Sequence, residues 1–115
     1  MPSFDAVILL REYGDEALVR DLARLLVDTT PQQIDAVQSA VAANDGAALR
    51  VAAHKLRGSI VPFGMPDAVE AARRLESMGA TGDFAGADAL SRELVASVES
   101  LRESAKAWLD AEAPS

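Results

Sequence analysis

The residues best equipped for chemistry in this 115-residue chain gather around its single histidine, His54. An imidazole is neutral and nucleophilic close to neutral pH, so it can take up and release a group at a ring nitrogen. Successive helical residues turn by about 100°. On that wheel Leu49, Ala52, Ala53, Leu56 and Ile60 form an apolar stripe, and His54 lies about 160° from Leu56, on the outward side. Ala47, Arg50, Arg57, Gly58 and Val61 share its face at spacings of three, four or seven. The row therefore combines a nucleophile, two cations, a gap and an apolar contact. A mid-helix glycine costs roughly 0.5–1 kcal/mol relative to alanine. Gly58 thus marks either clearance for an incoming surface or a close contact between helices. Val61 is an outward contact, or a core residue if Pro62 bends the helix end. Lys55 points about 100° away from His54 and contributes charge steering only.

Composition removes several classes of function. There are no cysteines, which excludes disulfides, thiolate zinc sites and cysteine nucleophiles. One histidine excludes a two-histidine metal site, and no metal is expected. No G-x-x-x-x-G-K-[ST] motif or glycine-rich loop is present, so no ATP-dependent kinase activity is expected. The net charge of −7 argues against nucleic-acid binding, which needs a basic surface. Against that background, Arg50, Lys55, Arg57, Arg73 and Arg74 outnumber Asp67 and Glu70 between positions 50 and 74. A local basic island on an acidic chain suits a small anion or an acidic partner surface. No run of 18 apolar residues reads as a membrane span, and Met1 to Asp5 lacks the basic start of a signal peptide. A cytoplasmic location is the expectation.

The elements that must position His54 are helices. Alanine supplies 23 of the 115 residues and aromatics only 4%, a helix-forming composition poor in strand formers. Turn signals divide the chain. A short helix is predicted over about 4–12, with Ser3 as its cap and Gly14 as its end. A second begins at Asp15, with Leu18, Leu22, Leu25 and Leu26 as its apolar positions and Arg20, Asp21, Arg24 and Asp28 opposite. Thr30 and Gln33 around Pro31 read as a capping box. The preferred alternative is one long helix over 15–43, kinked near Pro31, because Ile34, Val37 and Val41 continue the stripe. Asn44-Asp45-Gly46 is a turn. A third helix is predicted over 46–61, a fourth from Pro66 to about Met78, and a loop over 79–82 with Asp83 as the next cap. The last helix spans about 84–111, with Phe84, Ala87, Leu90, Leu94, Val98, Leu101, Ala105 and Trp108 as its stripe. Short connections favour an all-α, antiparallel up-and-down four-helix bundle with a short extra N-terminal helix. Residues 1–115 read as a single domain with a frayed tail at about 111–115. With the apolar faces consumed by one bundle and only Val61 left over, the chain is expected to be a monomer.

The segment Ala53-His54-Lys55-Leu56-Arg57-Gly58-Ser59, followed by Phe63-Gly64, resembles the signature of the histidine phosphotransfer (HPt) domain family, approximately A-H-x-L-K-G-S with an aromatic or leucine before a later glycine. Asp15-Glu16-Ala17-Leu18, Thr30-Pro31, Asn44-Asp45 and Arg74-Leu75-Glu76 extend the resemblance over nearly the whole chain. The resemblance implies that His54 is the phosphoacceptor, that Arg57 steadies the phosphoryl oxygens, and that Gly58 clears space for the partner. It gives Ser59 a supporting position. Glu76 matches a place where Gln or Glu can contact the histidine ring. Arg50, Lys55, Ser59 and Val61 are the expected docking residues. Two departures stand out. Arg57 replaces the commoner lysine, keeping the charge and adding a fork of donors. Ile60-Val61-Pro62 replaces smaller residues, and Pro62 should end the helix early.

The implied function is a histidine phosphocarrier in a His–Asp phosphorelay. Its partners would be response-regulator receiver domains, a hybrid histidine kinase, or both, and it would need no cofactor of its own because Mg²⁺ comes with the receiver. The alternative is an HPt-like interaction module that binds and regulates such a partner without carrying phosphate. A purely structural bundle would show a further apolar outer stripe, and a hydrolase would need a nucleophile–base pair that the sequence lacks.

Overall fold

The computed structural model describes residues 4–112. It contains α1 (Ala6–Tyr13), α2 (Glu16–Ala42), α3 (Gly46–Ile60), a 3₁₀ turn (Val61–Phe63), α4 (Pro66–Thr81) and α5 (Ala87–Glu112). Each of α2 to α5 packs on its predecessor, and α5 closes the ring against α2. The architecture is the expected all-α, up-and-down four-helix bundle, with α1 lying against α2. Among the described residues, no helix is long and apolar enough to cross a membrane.

Helix lengths explain the extra elements. The 27 residues of α2 extend about 40 Å, whereas the 15 of α3 extend only about 22 Å. The unmatched end of the long pair is covered by α1, the 3₁₀ turn and the preceding Phe4. The Phe4 ring lies 6.0 Å from that of Phe63 and 5.0 Å from that of Trp108. Its backbone N–H donates to Ser104 Oγ at 3.0 Å.

Several boundaries and stripes differ from expectation. Asp5 caps α1, its carboxylate accepting from the N–H groups of Val7 and Ile8; the expected cap, Ser3, lies outside the described residues. In α2 the buried row is Val19, Ala23, Leu26, Thr30, Ile34, Val37 and Ala40, while Leu18 and Leu25 are exposed. The buried stripe is thus rotated towards Val19 and Ala23, and Leu22 is only partly buried. Helix α4 continues past Met78 through Gly79 to Thr81, and Gly82 in the left-handed region (φ 76°) ends it. Asp83 caps only a turn, accepting from the N–H of Ala85, because Gly86 at φ 80° delays α5 until Ala87. Helix α5 extends to Glu112, so 111–112 are helical, and 113–115 of the expected frayed tail lie outside the described residues.

The long α2 runs unbroken through Pro31, so Thr30 is no cap. Its hydroxyl donates back to the Leu26 carbonyl at 2.7 Å. Pro31 has no N–H to offer the carbonyl of Val27, four residues earlier. Arg102 on α5 supplies the donor instead, with Nε 2.9 Å from that oxygen. Arg102→Ala is therefore expected to cost about 1 kcal/mol, and less once Pro31→Ala restores the backbone donor. Urea denaturation of the two single variants and the double variant measures that coupling; equal losses in both backgrounds would remove the argument.

Candidate functional site

The site lies on the α3–α4 pair. Asp45 caps α3 by accepting from the N–H of Ala48. Leu49, Ala52, Ala53, Leu56 and Ile60 are all buried, as their spacing predicted. That seating fixes the opposite face outward, and the His54 side chain is 62% exposed. The two helices approach closely at one end, where Gly79 on α4 meets the backbone of Gly46 and Arg50 on α3. Three residues before that contact, one turn along α4, Glu76 arrives beside the imidazole.

His54 Nδ1 lies 3.1 Å from Glu76 Oε1. Arg57 Nη2 lies 3.1 Å from the same Nδ1 and 3.1 Å from Glu76 Oε2. The contact with Oε2 is an ion pair by distance but is not aligned as a hydrogen bond. That oxygen is shielded from water with no donor directed at it. Nε2 has no hydrogen-bond partner among the described residues. The two ring nitrogens are thus different: Nδ1 faces the protein, and Nε2 is open.

The other expected residues divide. Gly58 is exposed, and a Cβ built on it meets nothing within 4 Å, so helix packing within the molecule does not account for it. Val61 is exposed, beginning the 3₁₀ turn that follows α3 at Ile60. Pro62 ends the α-helix early, as expected. Arg50 and Lys55 are exposed. The Ser59 hydroxyl is occupied within its own helix, donating to the Lys55 carbonyl at 3.3 Å.

The basic island is partly neutralised. Arg73 donates twice to Glu70, at 2.8 and 2.6 Å, and these hydrogen bonds hold the Glu70 carboxyl below the usual carboxylate range. Arg57 is paired with Glu76. Arg50, Lys55 and Arg74 make no ion pair among the described residues, so they carry the local positive surplus.

The sequence did not single out the surface beyond Val61. A groove of about 470 Å³ lies between α1 and the 3₁₀ turn, lined among others by Ile8, Leu9, Tyr13, Val61 and Pro62. The Tyr13 hydroxyl donates to the Pro62 carbonyl at 3.4 Å. This hollow does not include the histidine. Val61 is also not the only apolar residue left outside. Val7, Ile8, Leu18, Leu25 and Val51 are exposed as well. An exposed aliphatic residue was the available signal, but helical periodicity alone assigned Leu18 and Leu25 to the core.

An outward-facing imidazole is thus braced by a carboxylate from the next helix of the bundle and stands on a convex face. The Hpt domain model matches residues 21–108, and the chain belongs to that family. Its fold is shared with histidine-containing phosphotransfer protein B (HptB) from Pseudomonas aeruginosa PAO1. The two structures align with a TM-score of 0.79, covering 97% of this chain and 98% of that one at 22% sequence identity. No curated protein sequence matches the chain.

Proposed function

We propose that this protein is a phosphocarrier that moves a phosphoryl group between receiver-domain aspartates in a His–Asp phosphorelay. The observation that carries this reading is the asymmetry of the His54 ring, with Nδ1 against Glu76 and Nε2 open. In the forward step Nε2 attacks the phosphorus of the receiver's aspartyl phosphate. The N–P bond forms as the P–O bond to the aspartate breaks, and the aspartate leaves as a carboxylate. Nδ1 keeps its proton, so the ring becomes a cation that faces Glu76. Transfer onward reverses these changes at a second receiver. Catalysis of such transfers is mostly positioning and charge stabilisation. Arg57 is close enough to turn towards the phosphoryl oxygens, and the receiver brings the Mg²⁺.

Ile60-Val61-Pro62 departs from the family pattern, yet His54, Arg57 and Glu76 still meet. This favours a carrier over an interaction module that never holds phosphate. The partners on this reading are receiver domains or a hybrid kinase, encountered in the cytoplasm. The test is incubation with phosphorylated receivers, read by intact mass. An acid-labile, base-stable phosphate on the chain supports the reading; binding without transfer points to the module.

Docking gives a second outcome. Gly58→Arg fills open space on the face that a receiver must approach, and arginine is the better helix former by about 0.8 kcal/mol. Transfer is expected to slow at least about tenfold while thermal stability holds or rises. An unchanged rate would remove the clearance argument.

A further inference from the structure

The three side chains of the site cannot all satisfy one another at once. A neutral imidazole has one N–H and one ring lone pair on its two nitrogens. The contact of Nδ1 with Glu76 Oε1 needs the proton on Nδ1. The contact of the same Nδ1 with Arg57 Nη2 needs the lone pair there, because a guanidinium only donates. One atom therefore has two partners that require opposite tautomers. The Glu76 Oε2 atom sharpens the conflict. It is shielded from water and has no aligned donor, although Arg57 Nη2 is 3.1 Å away. A small rotation would turn that N–H from Nδ1 onto Oε2, satisfying the carboxylate and releasing the ring.

We infer that Arg57 and Glu76 compete for Nδ1 of His54, and that Arg57 is a two-position gate selecting which ring nitrogen is nucleophilic. This rests on the carrier reading of His54. With Arg57 donating to Nδ1, the ring proton sits on Nε2 and the outward nitrogen has no lone pair to attack with. With Arg57 turned onto Glu76 Oε2, Nδ1–H donates to Oε1 and Nε2 is the nucleophile. Both Glu76 oxygens serve this second position: Oε1 accepts the ring proton and Oε2 holds the guanidinium. An incoming phosphoryl group favours the competent position, since it too draws Arg57 away from Nδ1.

The same competition governs the return step. After transfer to Nε2, a ring that keeps its Nδ1 proton is a cation and a good leaving group. A ring that has lost this proton holds its phosphate more firmly and presents a lone pair to Arg57. Glu76 thus favours hand-over, and Arg57 on Nδ1 favours retention.

The experiment is ¹⁵N NMR of the His54 ring in the full chain, at a pH high enough to keep it neutral, comparing wild type, Arg57→Ala and Glu76→Ala. Nitrogen shifts and two-bond ¹H–¹⁵N couplings report the tautomer. The Nδ1–H to Nε2–H ratio is expected to rise in Arg57→Ala and to fall about tenfold in Glu76→Ala. Amide spectra of each variant check that the bundle is intact. Equal ratios in the three proteins, or shifts in the same direction, would overturn the gate. The readout needs no phosphate, so its failure leaves the carrier reading standing, and failure of labelling leaves the measured tautomers unaffected.

Discussion

His54→Gln is expected to abolish phosphate uptake from every receiver and to leave the bundle folded. The loss is complete because the glutamine amide is not a nucleophile and the described structure offers no second imidazole or thiol to take its place. The fold survives because the side chain is 62% exposed and contributes no core contact. The carboxylate left behind is not stranded, since Arg57 already lies 3.1 Å from Glu76 Oε2. A glutamine N–H can also donate to Oε1 in place of the ring. The change in stability should stay within about 0.5 kcal/mol, as for other surface substitutions. Intact mass after incubation with phosphoreceiver, together with a thermal melt, decides the matter. Labelling that persists in the variant would refute the assignment of His54.

Gly79→Ala is expected to be the most damaging single-carbon change at the site. A Cβ there falls 2.6 Å from the Arg50 backbone nitrogen and 2.6 Å from the Gly46 carbonyl oxygen. Both atoms belong to the backbone of α3, so no flexible side chain can yield, and the two helices must move apart. Overpacking of this kind costs about 1–3 kcal/mol or more, against about 1 kcal/mol recovered in helix propensity. The expected net loss is about 2 kcal/mol, a fall in melting temperature of roughly 8 °C. The same separation draws Glu76 away from His54, so the tautomer ratio should shift as well. Gly58→Ala is the natural control. It makes the same chemical change in open space and should stabilise by about 0.5–1 kcal/mol. Melts of the two variants should therefore move in opposite directions; a harmless Gly79→Ala would show that α3 and α4 are not held at this contact.

These two glycines also show where sequence reading succeeds and stops. The α3 stripe was legible because leucines and isoleucine repeat with one helical period, and outward placement of His54, Arg57 and Gly58 followed from it. The contact between His54 and Arg57 was within reach because residues three apart are neighbours on a helix. Glu76 was legible only through the family pattern, since nothing in the periodicity of α4 says which helix it faces. Gly79-Ala80-Thr81-Gly82 read as a loop because two glycines three apart are ordinarily punctuation. Only the packed structure shows that the first permits close approach and the second ends the helix. Val19 and Ala23, rather than Leu18 and Leu25, fill the core because packing rewards fit, which a count of leucines does not register. The bond from Arg102 to Val27 links residues 75 apart and left no local trace.

His54 and Glu76 are only 22 residues apart, on consecutive helices joined by a short connection. The candidate site is therefore a sequence-local object. Bringing its parts together closes a short loop, with a small entropic penalty, and contacts of such short span lower the contact order of the fold. The long helices α2 and α5 buttress the pair but contribute none of the three groups that meet at the ring. Local opening at α1 or at the last turns of α5 can thus occur without separating the imidazole from its carboxylate. Such a centre can tolerate drift in much of the surrounding bundle, provided the α3–α4 hairpin keeps its spacing.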